Sequence, residues 1–138
     1  MCLNTIDSLN VTTEFTEQVN NLPGVSMIME KYKAWEGAVE IMNHSGKELQ
    51  TGQDCDIQVQ VDGKWYRLEQ RHDGAWMAIA YSLPDGETTV IGINWSNIYG
   101  ELPAGSYRIV KKVMDYHAPG DYDTYYLATE FEIKATME

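Results

Sequence analysis

The sequence predicts an all-β protein, a sandwich of two sheets built from seven to eight antiparallel strands. Three observations predict it. Short runs of alternating apolar and polar residues recur from Val25 to Ile133, as half-buried strands require. Turn signals punctuate them, above all Asp62-Gly63 and Pro84-Asp85-Gly86. No segment sustains a long helical period. At 138 residues the chain makes one domain. A chain of that length buries roughly two-thirds of its unfolded surface, enough for a core without metal or disulfide staples.

Residues 3–24 are rich in Asn, Thr, Ser and Glu and end in Asn20-Asn21-Leu22-Pro23-Gly24. Composition and the closing turn predict a polar, loosely ordered extension or linker over 1–24, with the sandwich domain over 25–135. Leu9, Val11, Phe15 and Val19 have loose helical spacing, so a short helix is the alternative there.

The strands follow in order. Val25, Met27 and Met29 alternate with Ser26, Ile28 and Glu30, which suits an edge strand. Val39, Ile41 and Asn43 alternate with Glu40 and Met42, and Asn43-His44-Ser45-Gly46 turns the chain. In Asp56-Ile57-Gln58-Val59-Gln60-Val61 the residues Ile57, Val59 and Val61 share the inward face. Asp62-Gly63 suits the two positive-φ centres of a tight hairpin, and Lys64-Trp65-Tyr66-Arg67-Leu68-Glu69 is the return strand. Arg71-His72-Asp73-Gly74 reads as a turn and Trp76-Met77-Ala78-Ile79-Ala80-Tyr81 as the next strand. Across residues 88–95, Thr89, Ile91, Ile93 and Trp95 fall on one face.

Glu101-Leu102-Pro103-Ala104-Gly105-Ser106-Tyr107 leads into a β run over 107–116. In sandwiches of the immunoglobulin and fibronectin type III kind, a Tyr near the start of strand F packs its ring into the core. Its hydroxyl bonds back to the chain just upstream. Tyr107 is placed for that role, with Leu102, Pro103 and Gly105 shaping the corner, so the predicted sandwich is immunoglobulin-like. Lys111 falls in register with Tyr107, Ile109 and Val113, which predicts a bulge or an exposed strand end. Residues 117–122 read as a loop, and 125–133 as the last strand, with Tyr125, Leu127, Phe131 and Ile133 in register.

Ten Lys and Arg face 21 Asp and Glu, a net charge of −11. Such a surface repels phosphate backbones and anionic headgroups, so no nucleic-acid partner is expected. No apolar run approaches the roughly 18 residues of a membrane span. The two cysteines, Cys2 and Cys55, do not occupy the inter-sheet positions of antibody domains. Cys55 reads as a small semi-buried residue near a strand start. A bridge between the two stays open, since spacing alone does not decide it. Cys2 heads a polar tether, as the lipid-bearing Cys of mature bacterial lipoproteins does. That reading requires Met1 to stand where a signal peptide was removed; with Met1 as the native start it fails. Any membrane contact is expected only through such an anchor.

Four pieces in order carry a family resemblance: Asp62-Gly63-Lys64-Trp65-Tyr66, then Leu83-Pro84-Asp85-Gly86 before a β-branched run, then residues 102–111, then Tyr125-Tyr126-Leu127-Ala128-Thr129-Glu130-Phe131-Glu132-Ile133. Over about residues 25–134 the chain resembles the bacterial immunoglobulin-like domains of Gram-positive surface proteins and lipoproteins. The resemblance implies an Ig-like sandwich outside the cytoplasm and carries over no catalytic residue.

No nucleophile elbow, phosphate loop, dinucleotide fingerprint or zinc-protease motif is present. No enzyme activity, cofactor or metal is expected. His44, His72 and His117 all fall in predicted turns, where histidines are usually solvated. Asp115, His117, Asp121 and Asp123 crowd one loop but lack a dedicated calcium-loop pattern, so a solvated acidic loop is the plainer reading. Four Trp and nine Tyr are many for this length. Core packing accounts for most of them. Tyr116, Tyr122, Tyr125 and Tyr126 cluster about the connection between the last two strands, where sandwich loops often carry recognition. The expected ligand-binding residues are Tyr116, His117, Asp121, Tyr122 and Tyr126. The first functional expectation is a non-catalytic module that binds a protein or cell-surface ligand. The alternative is a small acidic inhibitor or decoy, of the phage anti-defence kind, that binds a basic protein surface.

Overall fold

The computed structural model describes residues 10–70, 76 and 79–134. Among them there are ten strands and no helix. They are β1 (Val11–Glu14), β2 (Val25–Tyr32), β3 (Glu36–Asn43), β4 (Leu49–Gly52), β5 (Asp56–Val61), β6 (Lys64–Leu68), β7 (Ala80–Leu83), β8 (Glu87–Asn94), β9 (Gly105–Ala118) and β10 (Asp121–Ile133). The larger sheet runs β1-β6-β5-β9-β4-β7, with β10 also paired to β9; the smaller runs β2-β3-β8. All pairings are antiparallel. The fold is an Ig-like β-sandwich.

Inward positions of both sheets interdigitate as alternation requires. Val39 and Ile41 of β3, Ile91 and Ile93 of β8, Ile57 and Val59 of β5, and Tyr107, Ile109 and Val113 of β9 are all buried. Phe131 anchors one end of this core. Its ring lies 5.8 Å from Tyr107, 5.9 Å from Trp95 and 5.3 Å from Tyr32. The corner is formed as expected. Tyr107 is buried, and its hydroxyl donates to the Pro103 carbonyl at 2.6 Å. Leu102 is buried beside it, and its N–H donates to the Ala34 carbonyl at 2.8 Å. The Asp62-Gly63 hairpin has φ of 53° and 80° at its two centres, the left-handed pair that its residues favour.

Five expectations need correction. The linker reading fails over residues 10–24, and so does the helix. β1 pairs with β6 through Val11↔Leu68 and Glu14↔Tyr66, and Phe15 and Leu22 are buried. Three sparse apolar residues suffice, because each lands on a sheet that lies distant in sequence. Residues 1–9, including Cys2 and Leu9, lie outside the described residues. Second, β4 is a strand that alternation did not announce. It is held on both edges, by β7 and β9. Third, the strand expected at 76–81 is β7, at Ala80–Leu83, and Trp76 precedes it. Met77, Ala78 and the turn at 71–74 lie outside the described residues.

Fourth, Lys111 is neither at a bulge nor exposed. It is fully buried in regular register opposite Leu127. Its ammonium donates to the carbonyls of Gly52 and Asp54, the latter at 2.7 Å, which is how a buried cation is made tolerable. Burial still pulls its pKa below the ordinary Lys value. Fifth, the loop at 117–122 is a tight turn at Pro119-Gly120 between two long strands. Gly120 has φ 79°, which the turn needs and a side chain would resist.

Candidate ligand-binding site on the last hairpin

β9 and β10 pair from Gly105↔Ile133 to Ala118↔Asp121. On its other edge β9 takes β5 at residues 107–110 and β4 at Val113 and Met114. Beyond Met114 its only strand partner is β10; Asp115 is still buried, and residues 116–122 project as a two-stranded tip. Alternation then sorts the tip residues onto two faces.

One face carries Tyr116 and Tyr122. They are cross-strand partners with ring centroids 4.8 Å apart and planes tilted by 40°. Tyr116 is 43% exposed and Tyr122 44%. Such a pair presents flat apolar area with two hydroxyls, at small entropic cost on ordering.

The other face carries Asp115, His117 and Asp123. Asp115 lies opposite Asp123, a repulsive arrangement of like charges. A cation and an imidazole relieve it. Lys47 reaches Asp115 at 2.6 Å, and His117 Nε2 lies 2.8 Å from Asp123 Oδ2. The hydrogen bond to Asp123 raises the His117 pKa above its ordinary value, aided by the charges of Asp115, Asp123 and Asp121. The Asp115 bond likewise raises Lys47. Potential metal-ligand atoms of Asp115, His117 and Asp123 lie within 4.8 Å of one another. Lys47 already supplies counter-charge there, and His117 adds to it when protonated.

The structure therefore divides the five expected ligand-binding residues. Tyr116 and Tyr122 stack together at the tip. His117 sits on the opposite face. Asp121 lies at the turn, before a register shift that separates it from Tyr122. Tyr126 lies four positions down β10 from Tyr122, roughly 13 Å at strand rise. It is half-buried, and its ring meets Phe15 edge-on at 5.3 Å.

Tyr126 instead borders a cavity of about 290 Å³ that sequence reasoning did not reveal, with Asp54, Asp56, Arg67, Gln70 and Lys112 around it. Burial pushes the Asp56 carboxyl above the usual range, opposed by the Gln58 amide at 2.7 Å and by Arg67 at 3.7 Å. Beside it Arg108 donates to Gln58 at 2.7 Å and stacks over Trp65 at 4.7 Å. The lining comes from β5 and the residues just before it, β6 and the residues just after it, β9, β10 and, through Phe15, the segment before β2. Only the order of strands in the sheet brings them together, and no local pattern signals it.

Cys55 is a buried free thiol. Its burial drives the pKa far up, so the sulfur stays protonated and unreactive at neutral pH.

Comparison with known proteins gives one family. A family model described as a bacterial Ig-like domain matches residues 21–132. No curated protein is detectably similar in sequence. Among solved structures, the ASH/PapD-like domain 7 of human CEP192 aligns at 12% identity with a TM-score of 0.38. The alignment covers 91% of this chain and 99% of that one. That overlap is too loose to inform function.

Proposed function

The chain belongs to the bacterial Ig-like domain family, and from that premise we propose a non-catalytic binding module that works outside the cell. The tip of the β9–β10 hairpin is its contact surface, and a lipid on Cys2 is its attachment. Bacterial Ig-like domains commonly occur in extracellular or surface proteins, which supports the location. The observation that carries the reading is the Tyr116/Tyr122 pair, two large rings left exposed at the end of a projecting hairpin. Exposed aromatics on a rigid strand pair suit the face of a peptide or a sugar ring. His117 and Asp123 add a polar pair on the reverse of the same tip.

The test is binding of labelled full-length protein to intact cells of its own strain, against a Tyr116→Ser/Tyr122→Ser variant. Both rings are exposed, so the variant keeps its melting temperature. Loss of binding by about tenfold or more is expected, the scale on which aromatic anchors act. Equal binding by the variant contradicts the tip as contact surface, and absence of binding by the parent contradicts a surface ligand.

The net charge of −11 supports a second reading, a small acidic inhibitor or decoy that covers a basic protein surface inside the cell. It gives the tyrosine pair no task.

A further inference from the structure

The smaller sheet ends at β8. β8 pairs with β3 from Glu36↔Asn94 to Asn43↔Glu87 without a register shift. The preceding strand, β7, leaves for the other sheet and pairs with β4. One position past the ladder, the Trp95 N–H donates to the Trp35 carbonyl at 3.0 Å. That bond sets the phase of the ladder. Odd-numbered residues of β8 bond to β3, and Thr88, Val90, Gly92 and Asn94 turn their N–H and C=O groups to the open side. Among the described residues no backbone hydrogen bond covers that side.

Exposed edges are normally blocked, and elsewhere in this molecule they are. Asn20 plugs β10: its N–H bonds the Tyr126 carbonyl at 2.8 Å, and its side chain bonds the Ala128 carbonyl and N–H at 3.1 and 2.9 Å. β2 is broken by an irregularity between Met29 and Lys31. β1 and β7 are only four residues long. β8 has eight residues, no Pro, no Lys and no bulge.

Gly92 gives a second, independent sign. Glycine in a strand interior costs stability, and it often marks close approach by another backbone. A Cβ at Gly92 would meet nothing within 4 Å, and its φ is not left-handed. The chain's own packing therefore supplies no reason for it. Beside it opens a cavity of about 550 Å³, bordered by Tyr32, Glu36, Ala38, Gly92 and Asn94, with Lys31 and Lys33 at its β2 end. On the outer face nearby, Val90 is 54% exposed and Ile28 46%.

Charge selects the occupant. Glu36 and Glu40 on β3 and Glu87 on β8 flank the edge. Glu30 abuts Glu40, whose carboxyl is raised by lost solvation and by that neighbour. A second copy would bring another −11 and the same carboxylates against these. We propose that the β8 edge docks an extended, basic segment of a partner protein, which adds as a fourth strand along residues 88–94 and seats a side chain over Gly92. This mode takes affinity from main-chain hydrogen bonds and specificity from alternate side chains. It is independent of the hairpin tip, which belongs to the other sheet.

The test is amide hydrogen exchange of the full chain, read by NMR, with a synthetic eight-residue peptide of alternating Lys and Val. An alternating Glu and Val peptide is the comparison. The Lys peptide is expected to slow exchange at Thr88, Val90, Gly92 and Asn94 by about tenfold or more, and the Glu peptide is not. Gly92→Val fills the seat, and is expected to abolish the protection while leaving the melting temperature unchanged or higher. Val90→Pro removes an outward N–H without touching the β3 ladder, and is expected to abolish it too. No protection by the Lys peptide, equal protection by the Glu peptide, or protection that survives Gly92→Val overturns the proposal. Protection without any peptide also overturns it. If that protection rises with protein concentration the occupant is a second copy, and if it does not the occupant is a segment of the same chain.

Discussion

Tyr107 is fully buried and its hydroxyl has one partner, the Pro103 carbonyl four residues upstream. The Leu-Pro turn and the Tyr-led strand made that contact legible, because the hydroxyl must find an acceptor near the corner. Tyr107→Phe keeps the ring and orphans the carbonyl. A loss of about 1–3 kcal/mol in urea unfolding is expected. Lys111 teaches the opposite lesson. Alternation placed it correctly on the inward face, yet its charge argued for exposure. The Gly52 and Asp54 carbonyls that hold it come from the β4–β5 connection, which no local pattern assigns to β9. Lys111→Met fills similar space and leaves both carbonyls without that donor, so a cost of about 2–4 kcal/mol is expected in the same measurement. His117 titrates above its ordinary value because Asp123 holds its proton. A raised folded pKa gives a contribution that is complete below the unfolded value, about 6.5. It is lost as pH rises through the folded value. The imidazole resonances should follow that curve, and Asp123→Asn should move the midpoint down.

Strands whose side chains alternate over six or more residues were readable: β2, β3, β5 and β8 show their buried faces directly in Val25/Met27, Val39/Ile41, Ile57/Val59 and Ile91/Ile93. β1 and β4 were not. Each has four residues and gains its strand from a partner far along the chain, β6 for one and β7 with β9 for the other. Burial of Phe15 is what turns the polar lead into part of the sandwich. Its ring meets Tyr126 at 5.3 Å, and the guanidinium groups of Arg67 and Arg108 lie at 5.0 and 5.4 Å. Phe15→Ala should therefore cost about 3 kcal/mol in thermal or urea unfolding. A linker residue would cost nothing measurable. The hairpin tip was half legible: the density of Tyr and Asp marked it, but its division into an aromatic face and an acid–imidazole face depends on the 116↔122 register.

At the scale of the molecule, one sheet carries a projecting aromatic tip, and the other ends in β8, whose outer side no further strand covers among the described residues. Neither feature uses the core. Its buried thiol at Cys55 is held protonated, and its buried cation at Lys111 is engaged with backbone. Architecture followed from alternation and one corner. The pairing of strands did not, because sheet order is a property of the whole chain. The most direct measurement is fractionation of the native protein from its own cells, with mass spectrometry of its N-terminus. A surface-anchored module is expected in the membrane or cell-surface fraction, with a diacylglyceryl group on Cys2. An unmodified Met1 in the soluble cytoplasmic fraction contradicts it and puts the acidic inhibitor reading first.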